Sequence, residues 1–343
     1  MSQGRPVTAF PTEPETLALQ ASLLDGDSAL AAWKKLSFAG TPEEAGIGWI
    51  APLLMTNLKR LVPDDPWLLN NPHFLTLCEL KHRVVTQSAQ TTLEILRIAG
   101  VPTLALKGLA LGESVYPSPS LRTVSDLDIL VPVRDLFRAM EALHAGGLRA
   151  ARGAPEAPAD LRKNHAHVFS AARRHEPILD LHWHVLSSAR GDDDDELFWS
   201  HAESLRLGTA ETSMLCPEDQ LLHALVHGVR WTRMPHVRWV ADVTMILRGN
   251  KDKFRIDRFL EVTQRFDAVT PVQEGLSFVA KHIGVGHELL ENVVALKRSA
   301  FSRHAFKARA TSYEDRSVAD RIALRVETAL WARRARRPRP PLA

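Results

Sequence analysis

The stretch Asp126-Leu127-Asp128-Ile129-Leu130-Val131, closed by Pro132, decides how this chain is read. Polar and apolar residues alternate at its start, and proline bounds it, so it predicts a β-strand. Side chains two apart on a strand project to one face, which places Asp126 and Asp128 together. Two carboxylates held side by side repel unless a cation lies between them. Hard oxygen donors on a rigid strand suit Mg²⁺, which keeps several waters and accepts nucleotide phosphates as further ligands. A third acid on a neighbouring strand would complete such a site. Asp180, within Ile178-Leu179-Asp180-Leu181-His182-Trp183-His184, is placed for it.

Upstream, Val101-Pro102-Thr103-Leu104-Ala105-Leu106 predicts a strand that ends at Lys107-Gly108 and leads into a short helix over 109–115. A glycine at a strand-to-helix turn lets a phosphate approach the free backbone N–H groups of the helix start, where the dipole favours anions. Lys107 adds a point charge for the same phosphate. Downstream, 134–145 is amphipathic and stops at Gly146-Gly147, as a helix does. His165–Phe169 and Ile178–His184 predict two further strands joined by the charged turn 173–177. Residues 100–190 therefore predict a small α/β core.

Helical patterns flank that core. After a loose tail over 1–12, Thr12 is placed to cap one helix and Asp27 a second, with Leu30, Trp33 and Leu36 on one face. Thr41-Pro42-Glu43-Glu44 reads as another helix start. A long helix over 72–99 carries apolar positions at Leu77, Leu80, Val84, Leu93, Leu96 and Ile98. Beyond the acidic loop of Asp192 to Asp195, Pro217-Glu218-Asp219 opens a helical region with further helices through Trp239–Ile246, 257–266, 271–282 and 317–335. The domain reading is thus a helical region over 1–99, the core over 100–190, a second helical region over 191–332, and a basic, proline-rich tail over 333–343.

Composition excludes several classes. The 343 residues are 45% hydrophobic and 24% charged, ordinary for a soluble globular protein. Lys plus Arg number 43 against 40 for Asp plus Glu, a formal charge of +3 that does not suggest a whole-protein nucleic-acid clamp. Cys78 and Cys216 are the two cysteines, too few for a disulfide framework or a cysteine zinc site. No apolar run reaches about 18 residues and the N-terminus lacks an apolar signal core, so a cytoplasmic protein without membrane contact is expected.

The histidines offer a rival chemistry. His165 and His167, with His182 and His184, form two His-x-His pairs on strands expected to be neighbours, and Asp180 shares the face of the second pair. Four imidazoles and a carboxylate suit zinc and metal-assisted hydrolysis. His223 and His227 lie four apart on one helix face but lack the glutamate of a His-Glu-x-x-His motif, so they read as packing or acceptor-site residues. The tail Arg333-Arg334-Ala335-Arg336-Arg337-Pro338-Arg339 matches an RNA or acidic surface in charge, or stays solvated.

Taken together, Leu106-Lys107-Gly108, Tyr116, Arg122, Ser125 to Val131, Gly147 and Asp180-Leu181-His182-Trp183 resemble the uncharacterised nucleotidyltransferase family of the DNA polymerase β-like nucleotidyltransferase superfamily. Leu215 to Gly228 and Arg238-Trp239-Val240-Ala241-Asp242 resemble it as well. The likeness covers about residues 40–250 and is densest from 98 to 245. It implies an α+β fold, with a small mixed-sheet core flanked by helical regions. It implies Asp126, Asp128 and Asp180 as catalytic acids and metal ligands, and Lys107, Gly108, Arg122 and Ser125 as nucleotide contacts. The cofactor implied is Mg²⁺ or Mn²⁺, with an NTP such as ATP as co-substrate. The reaction implied is transfer of a nucleoside monophosphate to an acceptor that is a small molecule, a protein or an RNA. One position departs from the superfamily pattern: Leu109 follows Gly108 where a serine or second glycine is usual. A binding module that keeps the fold without turnover is therefore the second expectation.

Overall fold

Asp126–Leu130 (β2) is the middle strand of a single mixed sheet in the computed structural model. The other strands are Leu104–Ala105 (β1), Arg149–Ala150 (β3), Ala166–Ser170 (β4), Ile178–His182 (β5), Glu203–Leu207 (β6) and Ala210–Met214 (β7). Their order is β3-β4-β5-β2-β1-β7-β6. β2 runs parallel to β5 and antiparallel to β1; β1 is parallel to β7, and the outer pairs are antiparallel. The structure describes residues 8–36, 47–157, 160–161, 164–170, 177–187, 195–231, 237–298, 300–308 and 317–334.

Strand parity splits the sheet into a dry face and a polar one. Leu127, Ile129 and Val131 join Leu179 and Leu181 in one apolar cluster. Helix Phe74–Ile98 covers them with Val85, Ala89, Leu93 and Leu96, and helix Leu136–Ala145 with Leu136, Ala139, Met140 and Leu143. The intervening residues, Asp126 and Asp128 on β2 and Asp180 and His182 on β5, belong to the opposite face. A second cluster joins the N-terminal helices Glu13–Leu23 and Ala51–Leu61 to the C-terminal helices Pro217–Gly228, Val237–Gly249 and Val269–Ile283. The two flanking regions thereby form one apolar body beside the polar face. The fold is α+β, with a mixed sheet and a majority of helix.

Several expectations are corrected. The first strand is two residues, and the helix after it begins at Lys107 and ends at Ser114. Helix Gly26–Lys35 is preceded by Asp25, so Asp27 lies in its first turn. On the long helix Leu77, Leu80, Val84 and Ile98 are exposed, because the sheet contacts only its Val85–Leu96 face. Phe10 is not in a loose tail: its ring stacks on Phe278 at 5.5 Å and meets Trp239 edge-on. The region expected to be helical from 191 contains the β6–β7 hairpin, which extends the sheet past β1 and is tied to it by the Thr103 and Thr212 hydroxyls at 2.8 Å. The helix start at Thr41–Glu44, the turn at 173–176, Asp192 to Asp194 and the tail from Ala335 onward lie outside the described residues. Among the described residues, no helix is long and apolar enough to cross a membrane.

Candidate functional site

Parallel pairing of β2 with β5 puts Asp128 directly opposite Asp180. His182, two residues further along β5, reaches back between them: its Nε2 lies 3.1 Å from Oδ1 of Asp128 and 3.2 Å from Oδ2 of Asp180. Lys107 Nζ donates to the same Asp128 oxygen at 2.5 Å. Lys107 opens its helix with φ of +50°, a left-handed conformation uncommon for a residue with a side chain. Asp128 and His182 are buried, while Asp180 is 28% exposed.

The electrostatics follow from these contacts. Burial by itself would raise the Asp128 carboxyl, but the His182 hydrogen bond and the Lys107 charge outweigh it and hold the group well below the usual range. Asp180 is lowered in the same way, chiefly by His182 working against burial. Burial disfavours the His182 imidazolium, yet its hydrogen bonds to the two carboxylates raise it. Its Nδ1 is buried and, among the described residues, has no hydrogen-bond partner.

This donor set fits a divalent cation. One ligand atom from each of Asp128, Asp180 and His182 lies within 4.8 Å of the others. The carboxylates supply hard oxygens, and the imidazole suits Mn²⁺ and other transition metals better than Mg²⁺. Asp126 is not a member of this close group. It lines, with Asp128 and Lys107, a cavity of about 160 Å³, and Ser125 Oγ donates to its carboxylate at 3.1 Å.

Arg122 is fixed by a partner 120 residues away. Its Nε and Nη2 donate to the two oxygens of Asp242 at 2.6 and 2.9 Å, and Nη1 donates to the Thr123 carbonyl at 2.6 Å. The Tyr116 hydroxyl donates to the same Asp242 at 2.7 Å. Arg122 therefore lines the cavity as a neutralised group. Gly108 makes room for it: a Cβ there would stand 3.1 Å from Arg122 Nη1 and 3.2 Å from Val124. The open side of Gly108 is thus filled by protein.

Helices Pro217–Gly228 and Val237–Gly249 close the cavity. The first brings His223 and His227, the second Arg238. The Arg238 guanidinium lies 4.0 Å over the Trp49 ring. Burial depresses Arg238. Burial, reinforced by the nearby Lys107 charge, pushes His223 down to about 3 and His227 well below its ordinary value, so both rings are neutral at pH 7. The segments around these residues resemble the family, but nothing in their spacing showed which side chains would face Asp128.

The four-imidazole zinc arrangement is not what the structure builds. Only His182 belongs to the close ligand group among the described residues. His165 packs edge-on against it at 5.5 Å. His167 Nε2 instead pairs with the Ala151 carbonyl at 2.9 Å, and His184 Nδ1 with Asp195 at 2.5 Å. β4 and β5 are neighbours, as expected, and pair antiparallel, but the His167 and His184 rings take partners outside the close ligand group.

Comparison with known proteins follows from this geometry. No curated protein matches the chain. A solved structure of an antigenic nucleotidyltransferase-like protein from Paracoccidioides brasiliensis aligns with 64% of this chain and 97% of its own, at 9% identity and a TM-score of 0.37. At that level of similarity nothing about the present chain follows from it. The model of the uncharacterised nucleotidyltransferase family matches residues 50–284, a span that includes Lys107, Asp126, Asp128, Asp180, His182 and Arg238, and the chain belongs to that family.

Proposed function

We propose that this protein transfers a nucleoside monophosphate from an NTP to an acceptor hydroxyl, with Mg²⁺ or Mn²⁺ as cofactor. The observation that carries the reading is the register of Asp128 with Asp180, beside a helix that starts at Lys107-Gly108. Asp128, Asp180 and His182 are the residues that would hold a metal, and Asp126, which lines the cavity with Asp128, would orient its waters. The bound metal neutralises phosphate charge and polarises the phosphorus under attack. Lys107, Arg230 and Arg238 are cations that line this cavity together with Gly108, while Ser125 borders a different cavity.

In the reaction the acceptor oxygen forms a bond to the α-phosphorus as the bond to the bridging oxygen breaks. Pyrophosphate leaves with that electron pair. The hydroxyl proton passes to a carboxylate, and Asp180, more exposed than Asp128, is the one we assign to it. The non-catalytic alternative rests on Leu109 and on the filled space in front of Gly108.

The test is incubation with each NTP labelled at its α-phosphate, Mg²⁺ or Mn²⁺, and separate pools of metabolites, RNA and protein. Transfer into one pool, lost in Asp128→Asn and Asp180→Asn, supports the reading. NTP binding without transfer into any pool would establish the binding module instead.

A further inference from the structure

Beside Lys107 and His182 lies a second chamber of about 330 Å³, within the roughly 300–1,000 Å³ range of small-molecule sites. It shares Lys107, His223, His227 and Arg230 with the first cavity, so the two adjoin at those residues, with Asp128 lining the first and His182 the second. Its far wall is apolar and built by the C-terminal region: Val226, Val229, Trp231, Phe266 and Phe306. The Trp231 indole N–H is buried and, among the described residues, donates to nothing. A buried donor left without an acceptor costs free energy that a ligand's oxygen would recover. His223 is also buried, and it faces both chambers. Two cations, Lys107 and Arg230, border the chamber against one carboxylate, Asp267.

We infer that this chamber binds the acceptor, and that the acceptor is a small amphipathic molecule. It has an apolar body against Phe266 and Phe306, an oxygen accepting from Trp231, and an anionic group toward Arg230. This rests on the transferase reading for the word acceptor, but not for the existence of the site. In-line displacement needs the attacking and leaving oxygens on opposite sides of the phosphorus. Two chambers that adjoin at Lys107, the residue bonded to Asp128, supply those two sides. The volume is far too small for a folded protein or a nucleic-acid duplex.

The probe is 8-anilinonaphthalene-1-sulfonate, which has an aromatic body and one anionic group. The protein is expected to bind one equivalent, with energy transfer from Trp231, and a fluorescent ATP analogue should not displace it. Val226→Trp, which narrows only this chamber, should weaken probe binding at least 10-fold and leave binding of the ATP analogue unchanged. Trp231→Phe keeps the packing, removes the N–H and should weaken probe binding several-fold. Thermal unfolding of each variant confirms that it is folded. Absence of stoichiometric binding, displacement by the ATP analogue, or probe affinity in both variants equal to that of the parent protein would overturn the inference. So would transfer of label into RNA or protein rather than into the metabolite pool. Failure of transfer into every pool, with the probe results as expected, would count against the transferase reading and leave the chamber as a ligand site.

Discussion

The Lys107 ammonium sits 2.5 Å from Oδ1 of Asp128, the buried carboxylate that faces Asp180 across β2 and β5. A protein cation therefore occupies part of the coordination space that a metal would use. Lys107→Met removes the competitor and keeps the length of the side chain. Mn²⁺ affinity without nucleotide, measured by electron paramagnetic resonance, should rise on the order of 10-fold, the scale of one charge-assisted contact. Affinity for a fluorescent NTP should fall by a similar factor, because the lysine is then missing from the phosphates. If Lys107 were only a structural partner of Asp128, the variant would lose thermal stability and NTP affinity would not change.

Arg122 and Asp242 form a buried, bidentate ion pair that also takes the Tyr116 hydroxyl. Asp242→Asn leaves the guanidinium without its counter-charge in a buried place. The expected cost is about 3–5 kcal/mol of unfolding free energy, read by urea denaturation. Replacing both partners, Arg122→Met with Asp242→Leu, should recover much of that loss, since the desolvation penalty then disappears. A double variant as unstable as the single one would show that the pair is not coupled.

Strand parity made Asp128 and Asp180 legible in the sequence, because a period of two needs no tertiary information. It also placed His182 on their face, although the His-x-His pattern pointed toward a zinc cluster. The rings of His167 and His184 are instead claimed by Ala151 and Asp195. Those partners depend on how the loops return, which no periodicity encodes. The same holds for Arg122, expected as a nucleotide contact: its partner Asp242 arrives from a helix of the C-terminal flanking region 120 residues away. The β6–β7 hairpin escaped notice because just two of its side chains, Leu205 and Leu207, are buried. Its apolar signal is correspondingly faint, although Gly208 at φ +59° marks the turn.

Glu218 gives the fold a defined acid sensitivity. Its buried carboxylate accepts from the Arg255 backbone N–H at 2.6 Å and faces the Arg255 guanidinium. Burial alone would raise its pKa, but these hydrogen bonds outweigh burial and lower it below 4.5. A carboxyl depressed in the folded state stabilises the protein above its unfolded pKa, and the contribution disappears as pH falls through the folded value. Glu218→Gln should cost about 1–3 kcal/mol at pH 7. The difference from the parent protein should shrink as denaturation is repeated from pH 5 toward pH 3. A gap that stays constant over that range would mean the charge contributes nothing.

Gly228 tests whether the helix crossing that carries Arg238 is as tight as it looks. A Cβ at this position would stand 2.2 Å from Trp239 Cβ and 2.3 Å from its Cγ. Neither atom can swing aside, since Cβ is fixed to the backbone and Cγ sits in the packed core. Gly228→Ala must therefore push helix Val237–Gly249 away from helix Pro217–Gly228. Overpacking of this kind costs about 1–3 kcal/mol. The displaced helix also carries Arg238 and Asp242, so the Arg238 contact with Trp49 and the anchor of Arg122 should loosen together. NTP affinity of the folded protein is then expected to fall along with its melting temperature. Gly249→Ala is the control on the same helix. Its Cβ would meet Val115 at 3.5 Å, an ordinary contact, so stability should be unchanged or higher by up to about 1 kcal/mol. Equal effects of the two substitutions would show that the crossing relaxes freely and that close approach at Gly228 does not position the cation.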